Sequence, residues 1–302
     1  MKSPSAQSIL NRAKEWREAN RDSWQRARDT ISFIEQGDQW DSKSAADRDY
    51  ANKSTLQFNL LHKHLRAIQA KGKNVELSLN LNPTNDMWAE RVEETNAFRM
   101  LLNHIMLGEE QKRAYEHSLE KVYSYGQSVL YVDVVRENEE TLSNTIAIRC
   151  INDPSKAFFD KNSQSLLKND GAYCGLCTEL AKEQVHSLYP SSKGKGWVED
   201  KNTVTDYWWR DSKQVDFLKL VGGEFKREDM LTGDDIIATD KEKRKASVTV
   251  IKYMRIINDR KTPLEAAQDW PSEDLPLVYN YGLTIWTPEG YQSFPFGYHM
   301  MD

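Results

Sequence analysis

No run of about twenty apolar residues occurs in the chain, so a membrane-spanning helix is not expected. The opening residues, MKSPSAQSIL, lack the apolar core of a secretory signal, and the expectation is synthesis and residence in a cytosol. Cysteine is scarce, three in 302 residues, which excludes a disulfide-stapled scaffold and fits a reducing compartment. An excess of positive charge is missing too. With 41 Lys and Arg against 46 Asp and Glu, the chain has no overall drive toward nucleic acid, and any DNA contact is local or transient. The GxxxxGK[ST] phosphate loop, the GxSxG elbow and the HExxH helix are all absent. With the phosphate loop goes any motor ATPase. The reading is therefore of a chain that is not an enzyme and carries no cofactor.

What is present is globular: hydrophobic residues make up 39% of the chain, charged residues 29%, and nine Trp with thirteen Tyr supply bulk for a packed core. Ile9, Ala13, Trp16, Trp24, Ala27, Ile31 and Ile34 recur in threes and fours, which predicts one long amphipathic helix over residues 6 to 35, with Asn20 falling on its stripe. The helix ends in Gly37, after which the polar sequence from Asp38 to Lys53 reads as an extended loop. Ser54 is the expected cap of a second helix bearing Leu61, Leu65 and Ile68 and stopping at Gly72. Val75, Leu77, Leu79 and Leu81 alternate as a strand, and Asn82-Pro83-Thr84-Asn85 turns the chain. A helical stretch from Asp86 to Tyr125, broken near Gly108 and closed by Gly126, leads into strands at 128 to 135 and 145 to 151 that pair antiparallel.

Beyond Asp153-Pro154 the pattern changes to strands and loops, with a short helix near 179 to 188 and strands at 204 to 209, 214 to 221 and 247 to 257. Residues 222 to 245 read as a charged, exposed insertion. Helices first and antiparallel strands later define an α+β fold, divided here into residues 1 to 152 and 153 to 302.

Four constellations invite a chemical reading. Cys174-Gly-Leu-Cys177 has redox or zinc spacing, but a second ligand pair is missing, with only Cys150 and His186 elsewhere, so buried strand cysteines are expected. His62 and His64 point apart on a helix, and His104 and His117 stand far off. Carboxylate pairs at Glu109-Glu110, Glu139-Glu140 and Asp234-Asp235 lie in polar stretches without an apolar setting to raise a pKa. The basic residues Lys241, Lys243, Arg244 and Lys245 are the candidate transient DNA contact, with Lys71, Lys73, Lys193 and Lys195 as smaller clusters. Trp208 and Trp209 fall on opposite strand faces, one in the core and the other covered by a loop or a neighbouring subunit.

Several segments in order resemble the portal proteins, or head-to-tail connectors, of short-tailed, podovirus-type phages. They are Phe33 to Trp40 (FIEQGDQW), Leu56-Gln-Phe-Asn-Leu60, and above all Ile151-Asn-Asp-Pro154 with Phe159-Asp160 and Leu167-Lys-Asn-Asp170-Gly-Ala-Tyr173. Val204-Thr-Asp-Tyr-Trp208 and Asp274 to Gly282 follow. Lys71-Gly-Lys-Asn-Val75 departs from the family's arginine-rich run. The resemblance implies the wing of such a protein, with stem, clip and crown missing from this sequence. It also implies assembly with itself into a ring of about twelve subunits. Its partners would be the terminase large subunit, tail adaptor and scaffold proteins, and the double-stranded DNA that passes through the channel. The implied location is the portal vertex of the virion, with host cytoplasm during assembly and no membrane. A metal-dependent nucleic-acid-processing enzyme, or another virion adaptor protein, is the alternative that the CxxC and carboxylate clusters keep open.

Overall fold

The computed structural model describes residues 3–37, 39–40, 42–55, 58–73, 81, 88–136, 140, 143–194, 196–231, 236–238, 242–258, 260, 262–287 and 290–300. In chain order the helices are α1 (Ala6–Ala19), α2 (Arg21–Ile34), α3 (Ser42–Tyr50), α4 (Leu60–Lys73), α5 (Trp88–Leu107) and α6 (Glu109–Tyr125). The strands β1 (Gln127–Arg136), β2 (Asn144–Cys150), β3 (Ala157–Phe159) and β4 (Tyr173–Ala181) follow, then α7 (Lys182–Leu188). The chain goes on with β5 (Lys201–Lys219), β6 (Phe225–Arg227), β7 (Lys243–Ile257), β8 (Glu265–Asp269), β9 (Leu277–Tyr281), β10 (Leu283–Thr287) and β11 (Gly290–Phe294). Helices with antiparallel sheets make this the α+β class that the residue pattern predicts. Contacts divide the chain into two discontinuous compact units, one of Met1–Arg12 with Ala172–Leu275, the other of Ala13–Gly171 with Pro276–Asp302.

The first unit is built on one long ladder. β5 pairs with β7 from Val204↔Ile257 to Leu218↔Lys243, β4 takes the opposite edge of β5 over residues 201 to 209, and β8 lies on β7. Alternation then sorts the aromatics. Trp208 packs with Tyr253 and Trp270 at centroid distances of 5.3 and 5.7 Å on one face, while Tyr207 and Trp209 stack at 5.7 Å on the other. Both tryptophans are buried, as opposite-facing neighbours in a covered sheet should be. The Arg12 guanidinium lies 4.4 Å from the Tyr173 ring and donates to the Tyr207 hydroxyl, so the start of α1 lines the Tyr207 face. Val185 of α7 joins Val198, Val204 and Ile257 in an aliphatic cluster.

In the second unit β1 is the central strand between β2 and β9, with α6 against it, and β10 and β11 form a separate hairpin. The buried face of α2 carries Trp24, Ala27, Thr30 and Ile34, a helical spacing of threes and fours. Trp16, Phe159 and Tyr279 form an aromatic knot with centroid distances of 5.6, 6.1 and 5.1 Å. Gly126 is the pivot. It ends α6 in the left-handed conformation at φ 76, and its carbonyl accepts from Gly282 N at 2.8 Å and from the Ser293 hydroxyl. A Cβ there would sit 2.7 Å from the Phe294 backbone, so only glycine fits.

Several expectations are corrected. The first helix is two, because Asn20 leaves helical geometry (φ −103, ψ 11) and its side chain turns back to the Trp16 carbonyl at 2.9 Å. Residues 42 to 50 are helical and not an extended loop, a short helix with no buried residue that only its position between turns could have revealed. Asn59, not Ser54, caps the next helix, accepting from His62 N at 2.8 Å, and Gly72 sits inside that helix against Leu119. The strands expected at 204 to 209 and 214 to 221 are one strand of 19 residues; the polar Asp211, Ser212 and Lys213 continue the ladder with β7. The helix near 179 to 188 starts only at Lys182, since residues up to Ala181 belong to β4. Residues 75 to 80 of the expected strand and the turn at 82 to 85 lie outside the described residues. Emptying the aromatic knot by Trp16→Ala is expected to cost about 3–5 kcal/mol, the usual range for a buried tryptophan, read as a lowered urea midpoint. An unchanged midpoint would show that the knot does not hold the second unit together.

Candidate functional surfaces

The segment that carries the family resemblance, residues 151 to 173, is a series of turns closed by its own carboxylates. Asp153 accepts from Ser155 N at 3.0 Å and from its hydroxyl at 2.6 Å, capping a short 3-10 turn that begins at Pro154. Asp160, buried, accepts from Asn162 N at 3.0 Å. Asp170 accepts from the Ser163 hydroxyl, from Gln164 N at 2.8 Å and from Ser165 N at 3.1 Å. Those bonds, the Ser163 hydroxyl first, hold its pKa below the usual carboxylate value. Lys168 adopts φ 57 and its ammonium reaches the Ser163 carbonyl at 3.0 Å. These motif residues fix the backbone of the turns.

A second polar cluster staples the ladder of the first unit. Asp206 accepts from the Tyr253 hydroxyl at 2.6 Å and from Arg255 Nε at 2.5 Å. Arg255 also donates to the Tyr189 hydroxyl at 2.6 Å and to Glu265 at 3.0 Å, linking β5, β7, β8 and the end of α7. Burial pulls the Arg255 pKa down, but Asp206 more than offsets this and the net shift is upward. Burial, then Asp206, pushes the Tyr253 hydroxyl upward as well. Tyr253 and Arg255 therefore stay a neutral phenol and a cation, which is a structural role. The sequence reading missed this group; its signal was an acid, Asp206, inside the apolar strand VTDYW.

Two cations of the basic run have acidic neighbours, while Lys245 is exposed. Lys243, Arg244 and Lys245 belong to β7 and not to a loop, because they continue the cross-strand register with Leu218, Phe217 and Asp216. Lys243 pairs with Glu228 at 3.4 Å, Arg244 with Glu242 at 2.9 Å, and the Arg244 guanidinium covers the Phe225 ring at 4.2 Å. The expected insertion over residues 222 to 245 is thus partly ordered strand, with β6 added to β5. Lys241, Lys195, Glu139, Asp234 and Asp235 lie outside the described residues. Lys73 pairs with Glu120 at 2.9 Å, and a hydrogen bond to that residue first, then its charge, raises the Lys73 pKa. Lys71 and Lys193 are exposed on separate elements.

Cys174 and Cys177 are in no disulfide, buried and three apart on β4, which puts them on opposite sheet faces and away from a shared ligand geometry. Cys150 is half-buried, and burial pushes its thiol up to about 11. His186 bonds Ser192 at 2.9 Å, His62 faces Glu35 at 3.6 Å, and His64, His104 and His117 are exposed on three different helices. A cleft of about 240 Å³ lined by Glu35, Arg66, Gln69, Glu120 and Tyr125 is smaller than common ligand sites of about 300–1,000 Å³. Its charges are matched within the chain, Arg66 to Glu35 at 2.9 Å among them.

The open chemistry lies instead on helix surfaces. α5, 20 residues long, leaves Phe98, Met100 and Leu101 exposed, and Phe58 and Leu60 are exposed at the start of α4. Among the described residues, no helix is long and apolar enough to cross a membrane. The carboxylates close turns, the half-buried Arg255 staple is structural, and the exposed apolar side chains of α4 and α5 are the kind of surface that meets a partner, which is the pattern of a structural assembly protein. The family profile described as phage P22-like portal protein matches residues 10–292, and the chain belongs to that family. Comparison with curated proteins gives no significant match. Portal subunits are structural components of an oligomeric ring at the capsid vertex, a family without a catalytic role.

Replacing Arg255 with Met should leave the half-buried Asp206 underpaired and lower stability by about 1–3 kcal/mol, the range for removing the partner of a largely covered polar group. The double variant Arg255→Met, Asp206→Leu should recover part of that loss in urea unfolding. A single variant as stable as the unaltered chain would refute the staple.

Proposed function

We propose that the chain supplies both compact units of a portal wing, in a ring of about twelve copies closed by rotational symmetry. The ring is the conduit for double-stranded DNA during genome packaging and ejection. The terminase large subunit docks on it while DNA enters, and scaffold and tail adaptor proteins dock at other stages, the ring being assembled in the host cytoplasm. The family match over residues 10–292 carries this reading.

The charge pattern supports a conduit that holds DNA loosely. A surface that bound many phosphates would arrest translocation, because each neutralised phosphate adds counterion-release free energy. Here Lys243 and Arg244, which with Lys245 are the proposed transient contact, stand beside Glu228 and Glu242. A strand that pairs its own cations offers little net attraction at long range.

The test is duplex binding measured against salt. The expected result is sequence-independent binding with Kd of about 10⁻⁴ M or weaker at physiological salt, weakening further as salt rises. Lys243→Gln with Lys245→Gln should reduce the salt slope by no more than about two. Nanomolar or sequence-specific binding that persists at high salt would overturn the conduit reading.

A further inference from the structure

We infer that α4 of one copy docks antiparallel on α5 of the next, so that two unlike helix faces of this chain form a head-to-tail contact of the ring. The inference rests on the portal reading and names the surfaces that such a ring would use. A ring requires a heterologous contact between two different patches, because a contact of one patch with itself closes after two copies. Both patches belong to the same compact unit.

On α5 the exposed residues Glu93, Ala97, Met100, His104 and Leu107 recur at intervals of four and three, with Glu94 and Leu101 beside them. That interval is the seam of a helix meant to meet another helix. The side chains are open to solvent, Met100 at 72% and Leu101 at 53%, although a helix this apolar in its second half is ordinarily covered. On α4 the exposed residues Leu60, His64, Ala67 and Lys71 repeat the same four-three-four interval, with Lys63 beside them and Phe58 just before the helix at 75% exposure.

The two seams are complementary in only one direction. Aligned antiparallel, Lys71 meets Glu93 and Glu94, Ala67 meets Ala97, His64 meets Met100 and Leu101, and Phe58 and Leu60 meet His104 and Leu107. Opposite charges lie at one end, small residues in the middle where two helices must approach within about 8 Å, and apolar bulk at the other end. Aligned parallel, Leu60 would face Glu93 and Lys71 would face His104. α4 carries four basic residues and no acid, so it suits an acidic rim and repels a copy of itself.

Two single-cysteine additions, Ala67→Cys and Ala97→Cys, test the contact in the full chain. Disulfides form only where Cα atoms come within about 7 Å, and the native thiols are buried or half-buried. The two variants are mixed at high concentration under mild oxidation and read by mass. The expected product is a dimer joining one chain of each variant, with neither variant cross-linking alone. Lys71→Glu should lower the yield severalfold, and Glu94→Lys in the facing chain should restore it. Self-linked dimers of either variant would overturn the head-to-tail arrangement. If sedimentation shows that the chain associates while no mixed dimer forms, the helix pairing is wrong and the ring reading stands. If the chain is monomeric at every concentration and no link forms, the ring reading fails together with the inference.

Discussion

The antiparallel pairing of β5 with β7 is the constraint on which the first unit depends. Its register, fixed from Val204↔Ile257 to Leu218↔Lys243, decides which side chains face which way. A slip of one residue would exchange the Trp208 and Trp209 faces and separate Asp206 from Arg255. The half-buried ion pair with its two tyrosines guards against that slip, since only the native register sets Asp206 against both Tyr253 and Arg255. β4, β6 and β8 attach to strands whose register is already set. In the second unit Gly126 has the comparable role, joining the end of α6, the start of β1 and the strand β11 through one carbonyl.

These constraints explain why a structural protein keeps so many polar residues in recognisable places. Asp153, Asp160 and Asp170 each accept from a backbone amide and so close turns that no apolar residue could close. The segment that most resembles the portal family is therefore legible because its turns demand particular side chains. Function in such a protein lies in shape and in the surfaces left for neighbours.

Much of the fold could be read from local signals. Gly108 and Gly126 punctuate the helices where the sequence places the breaks, and the β1–β2 pairing follows from two alternating segments. What escaped reading has physical causes. The polar residues 211 to 213 resemble a turn, but the strand crosses them because β7 supplies cross-strand partners from far along the chain. Helix α3 has no apolar stripe, so periodicity is silent about it. Lys243 reads as part of a solvated run because its acidic partner Glu228 is distant in sequence, and the strand neighbours of Arg244 and Lys245, Phe217 and Asp216, are farther still. The outward seams of α4 and α5 were hidden for a related reason: periodicity marks an amphipathic helix without saying whether its own chain covers the stripe.

The central claim is that this protein is a ring-forming structural subunit with a passage for DNA. Electron microscopy of the complete gene product at about 10 µM, where weak head-to-tail contacts are populated by mass action, tests it most directly. The account predicts closed rings with a central channel and about twelve-fold symmetry. Isolated one- or two-chain particles, or open filaments without closure, would contradict it.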